Sequence, residues 1–237
     1  MTTESAVGYH PLDLLERVSI TGALNATASL SALAGRPVAS SFPLVRIVAL
    51  EDVPNLLGDP EQVIAGVILN VTGDLAGCFI IVFPLDDAFL LVKTLTGTEC
   101  SLDTDLGEME LSAICEAGNI VASSYLAALE RLAGLSAMPS PPAVALDMAG
   151  AVLTTAILPL HEAGSEILFI EARFGDGDHE LGGRMALVPT TESLPRLLSA
   201  VSQSGACRAG ACLLPESQDQ AVGQGLAPAV PQRAQDG

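Results

Sequence analysis

The sequence predicts an α+β fold, a pseudo-two-fold duplicated unit in which long helices pack on an antiparallel-rich sheet. Three observations lead there. Two long stretches carry apolar residues at helical spacing and end in Gly. Apolar runs of strand length follow each of them, grouped around Gly-containing turns. The chain also repeats itself at a fixed offset.

An offset of 99 residues lays 13–45 over 112–144 without a gap. Identities then fall at Ala23/Ala122, Ala28/Ala127, Leu30/Leu129, Leu33/Leu132, Ala34/Ala133, Gly35/Gly134, Pro43/Pro142 and Val45/Val144. In a chain rich in Ala and Leu, single matches carry little weight. The shared run Leu-x-x-Leu-Ala-Gly, followed eight residues later by Pro, carries more.

Taken in order, Pro11 to Ala34 and Leu106 to Ala133 read as long helices, each closed by a Gly able to take a left-handed C-terminal conformation. After each come a short loop, a Pro and a strand-like segment, Leu44 to Leu50 and Ala143 to Met148. Two apolar runs around a turn should follow in each half, as antiparallel hairpins. In the first half these are Val63 to Thr72 and Gly77 to Phe83; in the second, Ala151 to Leu160 and Glu166 to Arg173. Asp86 to Leu95 and Thr191 to Val201 read as further helices opening near Asp or Ser/Thr caps, and Met185 to Val188 as a last strand. Residues 1–204 are thus expected to form one domain of two halves, about 10–100 and 101–204. The segment 205–237, rich in Gly, Ala, Pro and Gln without a period, reads as a flexible tail.

Composition excludes more than it identifies. Ten Lys and Arg against 28 Asp and Glu leave a net charge of −18, which argues against a nucleic-acid partner and against anionic membrane surfaces. Mean hydropathy is high at +0.47, yet no apolar run reaches the roughly 18 residues of a membrane-spanning helix. The first ten residues lack the basic-then-apolar pattern of a secretory signal, so the reading is soluble and cytoplasmic. Five Cys in irregular places do not form a disulfide framework, and Cys207 with Cys212 lacks the two further ligands of a zinc site. His10, His161 and His179 show no metal-ligand spacing. The acidic loop from Phe174 to Glu180 lacks the calcium-loop pattern and reads as a polar turn between strands. Cys115 reads as a core residue rather than a nucleophile.

Within the second long helix, Ser112, Glu116 and Asn119 fall at i, i+4 and i+7 and share one face, with Ile114, Ala117, Val121 and Leu132 on the buried side. An exposed carboxylate can dock a cation. A carboxamide one turn away both donates and accepts hydrogen bonds, and so can orient a water. On spacing alone such a pair is more often a solvated surface than a site. The same offset places Asp13, Arg17 and Ile20 in the first helix, where the carboxylate has become a cation and the carboxamide an aliphatic group.

Ser112-x3-Glu116-x2-Asn119-x22-Pro142 resembles the pattern of the CheC/CheX/FliY chemotaxis phosphatases, and the stretch from Glu116 to Leu129 looks like that family's second-half motif. Asp13-x3-Arg17-x2-Ile20-x22-Pro43 keeps the spacing with two substitutions. Thr27 to Ser31, Val45 to Ile47 and Pro189 to Leu194 look like CheC proper, and the resemblance spans residues 12–202. It implies hydrolysis of the aspartyl phosphate of a CheY-type response regulator. Asn119 would orient the attacking water and Glu116 would pair with the partner's active-site lysine, while Ser112 and Pro142 act structurally. The first site, Asp13, Arg17, Ile20 and Pro43, is degenerate. The resemblance implies no cofactor or metal of the chain's own, with magnesium in the partner's active site. It also brings in the receptor deamidase CheD as a further partner. The alternative function is a non-catalytic binding module of the chemotaxis or flagellar-switch apparatus, for example a CheD-binding adaptor.

Overall fold

The segment Gly77–Pro84 is apolar at nearly every position, as expected of a strand covered on both faces. In the computed structural model it is a central strand with helices on either side. The structure describes residues 11–57, 59–97, 106–157, 166–172, 174–175, 180–181 and 183–207.

Helix α1 (Pro11–Ala34) leads through a two-residue strand β1 (Ala39–Ser40) to β2 (Leu44–Ala49). A 3-10 turn (Leu50–Asp52) and the short α2 (Val53–Leu57) come next, then the hairpin β3 (Val63–Gly73) and β4 (Gly77–Pro84), and α3 (Leu85–Thr96). The second half runs α4 (Glu108–Ala133), β5 (Ala137–Pro139), β6 (Ala143–Met148), α5 (Ala149–Ile157) and β7 (Glu166–Glu171). It continues with β8 (Phe174–Gly175), β9 (Glu180–Leu181), β10 (Arg184–Pro189) and α6 (Ser193–Cys207).

All pairings of the main sheet are antiparallel, in the order β2-β7-β10-β4-β3, with β5 and β6 both on the outer side of β3. The two halves exchange strands: β2 pairs with β7, β6 pairs with β3, and β10 meets β4 in the middle. From either edge, therefore, the order is the same: one half's first long strand, then the other half's second and third. Successive residues of β4 alternate between two cores. Phe79, Ile81 and Phe83 face α1, α3, α4 and α6, while Cys78, Ile80 and Val82 face the layer built from Leu50, Val53 and α5. A small second sheet joins β1, β8 and β9.

The expected hairpin of the first half is present, turning at Gly73, whose φ of 116° suits Gly alone. That of the second half is not. Ala149–Ile157 is a helix, and β7 pairs with β2 and β10 instead. The buried residues Ala149, Val152, Leu153 and Ile157 lie at helical spacing, and a short apolar run does not by itself separate helix from strand. The helix begins where the backbone N–H groups of Ala149 and Gly150 donate to the carbonyls of Gln62 and Pro60, both at 2.9 Å. At the offset of 99 residues α5 overlies the 3-10 turn and α2.

Helix starts differ in detail. Helix α3 opens at Pro84 without a side-chain cap, and Asp86 and Asp87 complement its dipole instead. At the start of α6, Ser193 Oγ accepts from Ala76 N at 3.0 Å and ties the helix to the β3–β4 turn. Helix α6 continues to Cys207, past the expected boundary at 204; the rest of the expected tail lies outside the described residues, as do Cys100, Cys212 and all three His. The acidic loop's flanks form β8 and β9, and its residues 176–179 lie outside the description. Among the described residues, no helix is long and apolar enough to cross a membrane.

Candidate functional site

Helix α4 is seated by close approaches at two glycines, its own Gly118 and Gly22 of α1. A Cβ on Gly118 would lie 2.5 Å from Val67 Cγ1, so the helix backbone rests directly on β3 at that point. On the other side, a Cβ on Gly22 of α1 would lie 2.8 Å from the Tyr125 ring, so the two long helices also touch closely. Tyr125 is buried and its ring meets Phe79 at 6.1 Å between centroids. Ile114, Ala117, Val121 and Leu126 complete the buried stripe, and Leu132 packs half-buried against the same core. At the far end Gly134, with φ 71°, donates its N–H to Glu130 O and stops the helix. A rod held on two sides presents its remaining face in a fixed direction.

That face carries Ser112 and Glu116, both exposed, and Asn119, which is half-buried rather than fully exposed. The carboxamide sits at the flank of the exposed stripe, beside the turn that bears Ser123. Ser123 Oγ donates to Asn119 Oδ1 at 3.5 Å, a contact the sequence reading did not foresee although the i, i+4 spacing permits it.

Pro142 is half-buried and immediately precedes β6. Two residues on, Val144 pairs with Val67, the residue on which Gly118 rests. Just upstream, Ser140 N donates to Asn70 O at 2.7 Å and Asn70 N donates to Ser140 Oγ at 3.0 Å, which holds the step from β5 to β6 along the edge of β3. Pro142 therefore lies between two points at which the chain is tied to β3.

The first helix places Asp13 and Arg17 exposed and Ile20 half-buried along one stripe, with Leu24 following at 63% exposure. Pro43 is half-buried ahead of β2. The counterpart of Gly118 in this helix is Ser19, whose buried hydroxyl has no hydrogen-bond partner among the described residues.

Burial raises the thiol pKa of Cys115 and pushes that of Cys78 up to about 12, so both are protonated thiols near neutral pH and poor nucleophiles. Among the described residues, no three His, Cys, Asp or Glu side chains lie close enough to hold a metal.

Residues 109–146, from the first turn of α4 into β6, match the CheC-like family. The match falls on the site. Over 208 residues the chain is 29% identical to the CheY-P phosphatase CheC of Bacillus subtilis (strain 168), an alignment covering 86% of this chain and 100% of that protein. Its fold is similar to that of Thermotoga maritima FliY, with a TM-score of 0.68 at 19% identity over 82% of this chain and 96% of the other. It is similar as well to the FliM middle domain from H. pylori, with a TM-score of 0.61 at 14% identity over 80% and 97% of the two chains. The sequence likeness is thus to the CheC-like family over α4 and to one CheC relative along most of the chain, and the solved structures add likeness of fold.

Proposed function

We propose that this chain is a phosphatase hydrolysing the aspartyl phosphate of a CheY-type response regulator. The observation that carries the reading is the display of Glu116 and Asn119 one turn apart on a helix seated against both sheet and neighbouring helix, within the segment that matches the CheC-like family. Asn119 orients a water in line with phosphorus, and Glu116 docks to the partner's active-site lysine. The magnesium is expected in the partner's site, where it supplies charge neutralisation of the phosphoryl oxygens. What this chain adds is positioning, and phosphoryl transfer depends mainly on positioning and charge stabilisation.

The duplication is part of the same proposal. Matching element order, the repeat and the exchanged strand order support two halves related by a pseudo-two-fold, of which only the second retains a site. Arg17 in place of a carboxylate would repel the same lysine, and Ile20 has no polar atom to hold a water.

A second reading is a non-catalytic adaptor of the chemotaxis or flagellar-switch apparatus, including a CheD-binding one. It draws on the fold's likeness to FliM middle domains, since one fold hosts unrelated activities. The lifetime of a phosphorylated receiver domain separates the two. Catalytic shortening by the wild-type chain, lost on Asn119→Ala, is the expected result. Decay unaltered by the wild-type chain across the receivers of its own organism would overturn the phosphatase reading and favour the adaptor.

A further inference from the structure

We infer that Ser123 is a positioning residue for the carboxamide of Asn119. This rests on the phosphatase reading and deepens it by saying what sets the orientation of the group that holds the water.

Hydroxyls on the helices of this protein mostly turn back to the carbonyl four residues earlier. Thr27 donates to Ala23 O at 2.7 Å, Thr94 to Leu90 O at 2.7 Å and Ser202 to Leu198 O at 2.7 Å. Ser124, adjacent to Ser123, does the same to Ile120 O at 2.7 Å. Ser123 departs from this habit and directs its Oγ to the side-chain oxygen of Asn119, at 3.5 Å. Both residues are half-buried, so the contact is partly shielded from water and its electrostatic strength is not lost to solvent.

The chemistry of a carboxamide makes this contact consequential. Its oxygen and its NH2 group are similar in shape and opposite in hydrogen-bonding character, so a free Asn presents either to a water. In the orientation present the hydroxyl donates to Oδ1, and this contact holds the carboxamide plane against the helix. The NH2 group and the second lone pair of Oδ1 are then left for the water and the partner. At 3.5 Å the bond is long, as such bonds commonly are before the partner is bound and the site closes. Leu24 occupies the equivalent place in α1, so the hydroxyl accompanies the carboxamide in the second half and both are absent from the first.

The test is dephosphorylation of a receiver domain phosphorylated on its aspartate, with kcat and KM measured separately and folding checked by thermal melting. Ser123→Ala is expected to lower kcat by about 3- to 10-fold, the range for one neutral hydrogen bond, with KM unchanged. Ser123→Thr keeps a hydroxyl and should restore kcat, and Ser124→Ala should change nothing. A fully active Ser123→Ala beside an inactive Asn119→Ala overturns the role of Ser123 and leaves the phosphatase reading standing. A loss that appears in KM, or that Thr does not repair, also overturns it. A fully active Asn119→Ala removes the reading itself, and this inference with it.

Discussion

Helices α1 and α4 both end in a left-handed Gly and pack against each other on one face of the sheet. Their outward stripes nevertheless have opposite chemistry. Helix α4 shows Ser112, Glu116, Asn119 and Ser123; α1 shows Asp13, Arg17, Ile20 and Leu24. Their inward faces differ too, since Gly118 lets β3 touch the helix backbone whereas Ser19 buries a hydroxyl with no partner among the described residues. The two helices thus share their C-terminal stop and their place against the sheet, while their exposed positions differ. Packing constrains the inner face through volume, and nothing constrains the outer face except what binds there.

If the asymmetry is functional, the same kind of substitution should have very different effects on the two helices. Asn119→Ala should slow receiver dephosphorylation by about 10²-fold, the cost of losing the alignment of a reacting group. Ile20→Ala, at the equivalent place, should leave the rate per folded molecule unchanged. Comparable losses from both would mean that α1 is also a site and that the comparison has been drawn in the wrong place. Glu116→Gln comes next, with an expected rise in KM of about tenfold, as for loss of one charge-assisted hydrogen bond. That rise should shrink at high salt, whereas Arg17→Gln should not raise KM at all.

The two helices also show what was legible beforehand. Both were readable to within two residues because a long apolar period and a terminal Gly report on the same local geometry. The hairpin of β3 and β4 was equally readable, its turn being short and marked by Gly73. Ala149–Ile157 was not, because a nine-residue apolar run satisfies either period until its neighbours are known. The pairing of β7 with β2 was also out of reach, since register between distant segments is set by tertiary packing rather than by any local signal. At the site, spacing placed Glu116 and Asn119 on one stripe. The contact with Ser123 stayed hidden because a helical Ser more often bonds to the backbone.

The inner-face difference makes a smaller, separable prediction. Ser19→Ala should stabilise the protein by about 1 kcal/mol, by removing a buried hydroxyl that lacks a partner. In a chain of this size that corresponds to a melting shift of about 2–4 °C upward. Phosphatase kinetics should not move, because the change lies on the core side of α1, away from Glu116 and Asn119. A destabilised variant would show that Ser19 has a partner in solution.

The smallest expected effect is the most demanding test of the comparison. Asp13 and Pro43 already keep the spacing of the phosphatase pattern, Ile20 is half-buried and Arg17 is exposed. Arg17→Glu combined with Ile20→Asn therefore writes the second half's chemistry onto the first half's scaffold. Two equivalent sites in place of one give at most about a twofold gain in turnover per chain, with full alignment required to reach it. The double variant should fall short of that limit, because Leu24 stands where Ser123 stands and supplies no hydroxyl to orient the introduced carboxamide. Adding Leu24→Ser should raise the rate further, and making Asn119→Ala in the same background isolates the grafted site against an otherwise silent protein. Activity in that background that depends on Leu24→Ser would show that the outward residues alone set the functional difference between the two helices. No activity in any combination would mean that the difference extends into how the two rods are seated, at Ser19 against Gly118.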